Sequence, residues 1–147
     1  KNFFFRFLLK CMHIIFIKKG EGDVGAIKTV IEYLKNKQIV LLFPEGTRSL
    51  DGKLAKGQHG IGMLVKRSNV GVIPCYIHNG WKAMQKGKLL PSFVKVWGYF
   101  GDFISPEKFE NFKADKEGYQ QIVDVIMDEI VKLQEKCIED EKNWKKK

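Results

Sequence analysis

The chain has 147 residues, a formal net charge of +9 and 44% apolar residues. This length allows one domain with a real core, and the apolar content excludes a disordered chain. The excess of 26 Lys and Arg over 17 Asp and Glu favours anionic partners such as phosphate esters, anionic lipid surfaces, acyl carriers or nucleic acid. A solvated lysine-rich surface explains the same excess equally well.

The three cysteines, Cys11, Cys75 and Cys137, are far apart in the chain and form no CxxC pair. An odd number at wide spacing indicates reduced thiols in a cytosolic compartment rather than a disulfide framework or a zinc site. We expect each cysteine to be an ordinary core or surface residue.

The first stretch of the chain, residues 3–17, is apolar and aromatic but is interrupted by Arg6, Lys10 and His13. Its longest run without a charge is too short to cross a bilayer, and no cleavage site of the signal-peptide type follows it. We expect an amphipathic helix up to about Met12 and then a short strand over residues 14–17. The phenylalanines could lie at a membrane interface or pack on the sheet, and we slightly favour the interface.

The next elements alternate between helix and strand. Apolar residues at helical spacing predict a helix that Asp23 caps and Asn36-Lys37 ends; its buried stripe is Val24, Ile27, Val30, Ile31 and Leu34. The apolar run Ile39 to Phe43 predicts a short buried strand. A weaker helix is expected over residues 57–68, followed by a strand over residues 71–77 in which Pro74 indicates a strand end, an edge or a bulge. A strand, a crossover helix and a second strand in this order would form the βαβ unit of a parallel sheet.

The last third of the chain begins with a lysine-rich loop after Gly80. We predict a strand over residues 93–100, a helix start at Ser105-Pro106 and a long helix over residues 116–138 with one apolar face. The charged tail after it is expected to fray. These elements predict an α/β fold, a mixed and largely parallel sheet flanked by helices, in a single domain over residues 1–147.

The most specific signal follows the predicted strand that ends at Phe43. A dense group of polar side chains and backbone donors comes after Pro44: Glu45, Gly46, Thr47, Arg48 and Ser49. Ligands of open α/β sheets bind beyond the carboxyl ends of the strands. The planar guanidinium of Arg48 can donate two hydrogen bonds to an oxyanion, and Gly46 lets the backbone approach closely. The loop is therefore a candidate phosphate site.

The run FPEGTRS, from Phe43 to Ser49, resembles the third sequence block of the glycerolipid acyltransferases, the family that includes the 1-acylglycerol-3-phosphate acyltransferases. Residues 16–19 (FIKK), 54–57 (LAKG) and 72–75 (VIPC) are similar to other blocks of that family, in the same order. The resemblance covers most of the chain from residue 3 to about residue 135. It implies the glycerol-3-phosphate acyltransferase-like form of the α/β fold.

The resemblance also implies a reaction. An acyl group would pass from acyl-CoA or acyl carrier protein to the sn-2 hydroxyl of 1-acylglycerol 3-phosphate, which is lysophosphatidic acid, and the product would be phosphatidic acid. The enzyme would work in phospholipid synthesis at the cytoplasmic face of a membrane, as a peripheral protein or one anchored by an N-terminal segment. No cofactor is implied beyond the acyl donor, and no metal or nucleic acid.

The resemblance gives roles to the loop residues and to two lysines. Arg48, with Gly46 and Thr47 beside it, would bind the acceptor's phosphate, and Glu45 would fix the loop or contact the glycerol part. Lys19 and Lys56 would add positive charge. Lys19 stands where arginine is usual, so it keeps the charge but not the two-pronged geometry. A salt bridge between Glu45 and Arg48, and solvated lysines at both positions, are the structural alternatives.

One part of the family's pattern is missing. The catalytic block of the family is a histidine that acts as general base and an aspartate five positions later that orients it. None of the three histidines has that partner: Lys18 follows His13, Leu64 follows His59 and Ala83 follows His78 at that spacing. We therefore expect the pair upstream of Lys1, in a domain incomplete at its N-terminus, and no turnover by residues 1–147 alone. His59 is the histidine that we would test as a site residue.

Other functions have weaker support. The chain has neither the GxxxxGK[ST] spacing of a phosphate-binding P-loop nor the GxSxG elbow of a serine hydrolase. A nucleic-acid binder could use the charge and the aromatic residues, but no recognition motif accompanies them. A non-catalytic module that binds anionic lipid or phosphate stays open, and so does an acyltransferase for glycerol 3-phosphate or another lysolipid.

Overall fold

The computed structural model describes residues 14–15, 24–83, 85, 88 and 90–144. The chain divides into two compact units, Lys1–Val40 and Leu41–Lys147. The helix predicted up to Met12 and Cys11 within it lie outside the described residues, as does most of the strand predicted at residues 14–17.

The first helix among the described residues, α1 (Val24–Lys35), belongs to the first unit and ends just before Asn36-Lys37, as the sequence predicts. Lys37 has a φ of 59°, and the N–H groups of Lys37 and Gln38 donate to the carbonyls of Leu34 and Tyr33 at 3.1 and 3.0 Å. A residue in the left-handed region turns these two donors back onto carbonyls that the last helical turn leaves unpaired. The local sequence therefore ends this helix by itself.

The predicted apolar stripe of α1 is only partly buried. Val30 is 1% exposed, whereas Val24, which we expected in the same stripe, is 62% exposed. Ile27, Ile31 and Leu34 are half-buried. Helical spacing thus identified the face correctly but not its extent.

The predicted buried strand from Ile39 to Phe43 is wrong. Residues 38–43 have no regular secondary structure, and Ile39, Leu41 and Phe43 are 99%, 71% and 62% exposed. A strand exists only where a neighbouring strand pairs with its backbone N–H and C=O groups. Within the described ranges no strand lies beside this run, so Ile39, Leu41 and Phe43 remain in solvent, whereas Val40 and Leu42 are half-buried.

The second unit contains the remaining elements in chain order: α2 (His59–Ser68), β1 (Cys75–His78), α3 (Gly80–Ala83), β2 (Trp97–Phe100), a 3₁₀ helix (Pro106–Phe109) and α4 (Lys116–Trp144). Each predicted helix and strand after residue 50 has its counterpart, with boundaries shifted by a few residues. The 3₁₀ helix starts at the predicted Pro106, but the Ser105 hydroxyl does not cap it.

The long helix α4 continues past the predicted end near Ile138 as far as Trp144. Two contacts hold this last part on the sheet. The Tyr99 hydroxyl donates to Asp140 Oδ2 at 3.3 Å, and His78 Nε2 lies 3.6 Å from Glu141 Oε2. The expectation that the tail frays is therefore wrong up to Trp144, because tertiary contacts hold a segment that its charged composition alone would leave loose.

The sheet differs from the predicted one. β1 and β2 pair antiparallel, with Cys75 opposite Phe100 and His78 opposite Trp97, and the sheet has these two strands in the part of the chain that the structure describes. The largely parallel sheet and the complete βαβ unit are thus not seen there. The βαβ unit lacks its first strand, because residues 38–43 have no regular secondary structure. After β1 the chain returns beside that strand in the opposite direction, and the Ser92 N–H donates to the Ala83 carbonyl at 2.8 Å within this return.

The core of the second unit lies where α4 packs against α2 and the hairpin. Its buried members are Val65, Tyr76, Phe109, Ile122, Ile126, Ile130 and Cys137. Four of them lie on the apolar face predicted for α4, where Tyr119 and Val123 are also buried, although Val131 is 39% exposed. Cys75 and Cys137 are both free thiols, half-buried and buried respectively.

Two glycines of α2 differ in the space that α4 leaves for a side chain. A Cβ on Gly62 would collide with the backbone carbonyl of Tyr119, whereas a Cβ on Gly60 meets nothing within 4 Å. We expect Gly62→Ala to lower the free energy of unfolding by about 2–3 kcal/mol, since backbone cannot move aside as a side chain can. Gly60→Ala should be neutral or slightly stabilising, because alanine favours helix. Urea unfolding followed by circular dichroism compares them, and equal stabilities would contradict the close helix contact.

Candidate functional site

The loop after Phe43 is fastened at its start by two hydrogen bonds. Glu45 Oε2 accepts the Ala55 N–H at 2.6 Å, and the Pro44 carbonyl accepts the Gln58 N–H at 2.8 Å. A bond to an ionised carboxylate is stronger than one between neutral groups. Residues 44 and 45 are therefore joined to the segment that leads into α2, and the carboxylate of Glu45 is engaged with backbone.

Gly46 makes the sharp turn that follows. Its φ is 64°, and its N–H donates to the Phe43 carbonyl at 3.0 Å. Glycine adopts this left-handed conformation without the steric cost that a side chain would add. A Cβ at this position would also lie 3.4 Å from Gln58 Cγ, so the turn is in contact with the residue before α2.

The loop ends in a second turn, which the Asp51-Gly52 pair predicts. The Ser49 hydroxyl accepts the Gly52 N–H at 2.8 Å and donates to the Lys53 carbonyl at 3.1 Å. Asp51 Oδ1 accepts the Lys53 N–H at 3.0 Å. The Ser49 hydroxyl is thus committed to the turn. Gly52, with a φ of 84°, packs so closely on Trp81 that a Cβ would lie 2.5 Å from the indole Nε1.

Between these two turns, Thr47 and Arg48 are both exposed. The guanidinium of Arg48 forms no hydrogen bond or ion pair with any other described residue. The salt bridge to Glu45, the structural alternative, is absent because Glu45 binds the Ala55 amide instead. The loop therefore presents an uncompensated planar cation to solvent.

Lys56 and the start of α2 lie on the segment to which the loop is fastened. Lys56 is exposed, and Gln58 is the N-cap residue of α2 but caps no amide with its side chain. The first turn of α2 holds no acidic residue. The unpaired N–H groups of such a helix start carry a partial positive charge. The structure thus places Glu45, Gly46, Thr47, Arg48 and Lys56 in one connected region, whereas Lys19 lies outside the described residues.

The long helix α4 packs against the backbone at Gly57, next to Lys56. A Cβ on Gly57 would collide with Val123, and Gln120 Nε2 donates to the Gly57 carbonyl at 3.5 Å. The lysine–glycine step at Lys56-Gly57 is therefore a packing requirement, because a larger residue would push the segment off the long helix.

The histidines do not form a catalytic pair in the described part of the chain. His59 is the exposed first residue of α2, and its imidazole forms no hydrogen bond or ion pair with another described residue. His78 lies against the ring of Tyr76 and faces Glu141 at the far end of α4. His13 lies outside the described residues.

Three groups whose pKa values are raised by burial lie in the hairpin or on α4 and not in the Arg48 loop: Tyr99, Cys75 and Cys137. Burial raises the pKa of Tyr99 to about 12, and this tyrosine donates to Asp140. Burial also raises the pKa of the Cys75 and Cys137 thiols. Both thiols therefore stay protonated at neutral pH, unlike the thiolate that a cysteine nucleophile requires.

The described residues contain no group of three or more His, Cys, Asp or Glu side chains that could hold a metal ion. No described helix combines the length and the apolar character needed to cross a bilayer.

The charge pattern around the site was missed in the sequence, although it is visible there. Every charged residue between Gly52 and Gly101 is basic: Lys53, Lys56, Lys66, Arg67, Lys82, Lys86, Lys88 and Lys95. The net charge of the whole chain does not reveal this run, because the acidic residues of α4 offset part of it. The run follows the Arg48 loop in the sequence with about fifty residues whose charges are all positive.

This chain is similar to known proteins, and the matching family model includes the Arg48 loop. A family model described as Acyltransferase matches residues 1–78. The chloroplastic 1-acyl-sn-glycerol-3-phosphate acyltransferase LPAT1 of Arabidopsis thaliana is 30% identical over 86 residues, which are 57% of this chain and 22% of that protein. The chloroplastic 1-acyl-sn-glycerol-3-phosphate acyltransferase BAT2 of Brassica napus is 29% identical over 86 residues, 57% of this chain and 23% of that protein.

Among solved structures, the 1-acyl-sn-glycerophosphate (LPA) acyltransferase PlsC from Thermotoga maritima has the same fold, with a TM-score of 0.67 at 24% sequence identity. The match covers 89% of this chain and 50% of that one. The chain thus spans less than a quarter of the curated relatives it matches and half of the solved structure.

Proposed function

We propose a function on one premise: this chain belongs to the acyltransferase family. The loop of residues 43–49 binds the phosphate of a glycerol phosphate acceptor during O-acyl transfer. The acceptor is 1-acylglycerol 3-phosphate, and its sn-2 hydroxyl takes the acyl group from acyl-CoA or acyl carrier protein. The product is phosphatidic acid, made at a membrane surface in phospholipid synthesis.

The observation that carries this proposal is the unpaired guanidinium of Arg48 on a fastened loop. Because Glu45 is bonded to the Ala55 amide at 2.6 Å, its negative charge does not neutralise Arg48 through a salt bridge. Because the loop is tied at both turns, less conformational entropy is lost when an anion binds. A phosphate can accept two parallel hydrogen bonds from such a guanidinium.

The neighbouring groups support an anion at the same place. Gly46 touches Gln58, the N-cap of α2, so the loop lies beside a helix start without acidic residues. Helix N-termini favour phosphate through their free N–H groups and the helix dipole. We assign Lys56 and, outside the described residues, Lys19 a supporting electrostatic role.

The acyl transfer itself needs a base. The acceptor hydroxyl must lose its proton as its oxygen attacks the thioester carbonyl, and the thiolate that leaves takes up a proton. His59 has no carboxylate partner among the described residues. We therefore assign acceptor binding to this chain's loop and proton transfer to a His–Asp pair in the part of the enzyme that the match does not span.

The test is an assay of phosphatidic acid formation from lysophosphatidic acid with acyl-CoA or acyl carrier protein as donor. The protein as its gene encodes it should form product, and residues 1–147 alone should not. Turnover by residues 1–147 would show that the base lies within them. No product from the gene-encoded protein with lysophosphatidic acid, glycerol 3-phosphate or other lysolipids would refute the acyltransferase function.

A second candidate is a module that binds anionic lipid without chemistry. It is favoured by one observation, the lack of a histidine with an aspartate five positions later within these 147 residues. Reading the codons that precede Lys1 discriminates the two. An in-frame His–Asp pair at that spacing supports the enzyme, and a start codon directly before Lys1 supports the binding module.

A further inference from the structure

We call the connection between β1 and β2, residues 79–96, the basic loop; the structure describes its residues 79–83, 85, 88 and 90–96. Its two arms are tied together at two levels. Asn79 Nδ2 donates to the Lys95 carbonyl at 3.3 Å, and the Ser92 N–H donates to the Ala83 carbonyl at 2.8 Å. These two bonds therefore hold residues 79–83 next to residues 92–95.

Large apolar side chains of the basic loop stand in solvent. Leu90 is 78% exposed, Phe93 is fully exposed at 108%, and Val94 and Val96 are 37% and 46% exposed. Single apolar residues on a surface are common, but four within seven positions form a patch. Such patches mark surfaces that bind a protein or a membrane.

The charges of the basic loop are all positive. Lys82, Lys86, Lys88 and Lys95 lie in it, and no acidic residue occurs between Asp51 and Asp102. Lys82 Nζ lies 5.5 Å from the ring of Trp81, and Lys95 Nζ lies 5.4 Å from the ring of the adjacent Trp97. The boundary between lipid headgroups and acyl chains favours this combination of side chains: lysines with apolar stems, tryptophan rings and exposed apolar residues.

The basic loop adjoins the turn that follows Arg48. Trp81 covers Gly52 so closely that a Cβ on that glycine would contact the indole. Gly52 in turn donates to Ser49, the last residue of the FPEGTRS run. A surface bound to the basic loop would therefore lie next to the candidate phosphate site.

From these observations we propose that the basic loop docks this chain on an anionic lipid bilayer, with Leu90 and Phe93 entering the interface and its lysines binding lipid phosphates. A second copy of the chain is the competing occupant of the patch. Charge disfavours it, because two copies would place lysine-bearing loops without acidic partners against each other. The proposal deepens the membrane part of the proposed function, since the acceptor is itself a lipid of that bilayer.

The test measures binding of residues 1–147 to sedimented vesicles. Vesicles of phosphatidylcholine mixed with phosphatidylglycerol should bind the chain, and pure phosphatidylcholine should bind it much more weakly. The triple variant Lys82→Gln, Lys88→Gln, Lys95→Gln should lose about fivefold in partition for each lysine removed. Leu90→Ser with Phe93→Ser should lower partition about tenfold or more, because two exposed apolar side chains no longer enter the interface.

The matched controls use exposed residues outside the basic loop. Lys113→Gln, Lys116→Gln and Lys136→Gln together remove the same charge from a region rich in acidic residues, and Ile138→Ser removes an exposed apolar side chain from α4. Both should keep nearly the full vesicle binding. If the control and loop variants lose partition equally, or if neither changes it, the docking surface is elsewhere and the proposal is overturned.

Two further measurements complete the test. In a Trp144→Phe variant, lipids brominated in the acyl chain should quench the emission of Trp81 and Trp97; absence of quenching overturns the proposal. Concentration-dependent dimers by sedimentation, lost in Leu90→Ser with Phe93→Ser and unaccompanied by vesicle binding, would assign the patch to a second copy. Binding of soluble glycerol 3-phosphate should persist in all loop variants, so a failure of docking is distinguishable from a failure of the phosphate site.

Discussion

Arg48→Ala should remove most of the affinity of this chain for glycerol 3-phosphate. The guanidinium is exposed and has no partner among the described residues. The substitution therefore removes its contact with the bound phosphate and no contact to another described residue. Hydrogen bonds to charged groups contribute about 1.5–3 kcal/mol, which corresponds to about a 10- to 150-fold rise in Kd. Titration followed by nuclear magnetic resonance at low salt measures it, and the shifts should centre on Gly46 and Thr47.

Two variants separate this specific contact from general charge. Arg48→Lys keeps the charge but not the two-pronged donor, and should recover only part of the affinity. Arg67→Ala removes the same charge from the exposed last turn of α2 and should leave Kd within about twofold, because the surface charge is screened. If Arg67→Ala weakens binding as much as Arg48→Ala, the affinity comes from net charge and Arg48 is not the phosphate ligand.

The same substitution has a kinetic consequence in the active enzyme. An Arg48→Ala enzyme should have a raised KM for the acceptor, and its KM for the acyl donor should be unchanged. Loss of a contact made equally in ground and transition states raises KM alone, whereas a fall in kcat as well would mean that the contact strengthens during reaction. Unchanged kinetics for both substrates would remove Arg48 from the site.

Glu45→Ala should weaken glycerol 3-phosphate binding about tenfold although Glu45 need not touch the ligand. Its carboxylate holds the loop by accepting the Ala55 amide at 2.6 Å. Without it the loop samples other conformations, and the ordering that the native bond provides must then come from the ligand. Glu45→Gln keeps an acceptor oxygen and should lose less, because only the charge assistance is gone.

Hydrogen exchange distinguishes this positioning role from a direct contact with the glycerol part. The Ala55 amide should exchange faster in Glu45→Ala, since its acceptor is gone, even with no ligand present. If affinity falls while Ala55 exchange is unchanged, Glu45 acts on the ligand and not through the loop. Asp51→Ala is the matched control: it frees the Lys53 amide, but the Ser49 hydroxyl still bonds to Gly52 and Lys53, so the second turn stays tied and affinity should remain nearly intact.

Local signals in the sequence predicted several parts of this protein correctly. The end of α1 at Asn36-Lys37, the turn at Asp51-Gly52 and the apolar face of α4 depend on interactions within a few residues of one another, so a linear pattern contains them. The FPEGTRS run likewise identified the loop, and the family that it resembles is the one to which the chain belongs.

Other features depended on partners distant in sequence. The apolar run from Ile39 is suited to a strand, yet no described strand pairs with it, and it stays exposed. The composition of the charged tail predicts fraying, yet contacts with Tyr99 and His78 hold it in the helix.

The sequence by itself determined which residues form the loop of Arg48, where its turns fall and which face of α4 is buried. Only the tertiary structure decided that Glu45 binds the Ala55 amide rather than Arg48, and that the hairpin strands run antiparallel. The physical reason is that a carboxylate or a strand edge has several possible partners of equal chemistry. Which partner it takes depends on the distances that the folded backbone sets, and those distances are not encoded in local spacing.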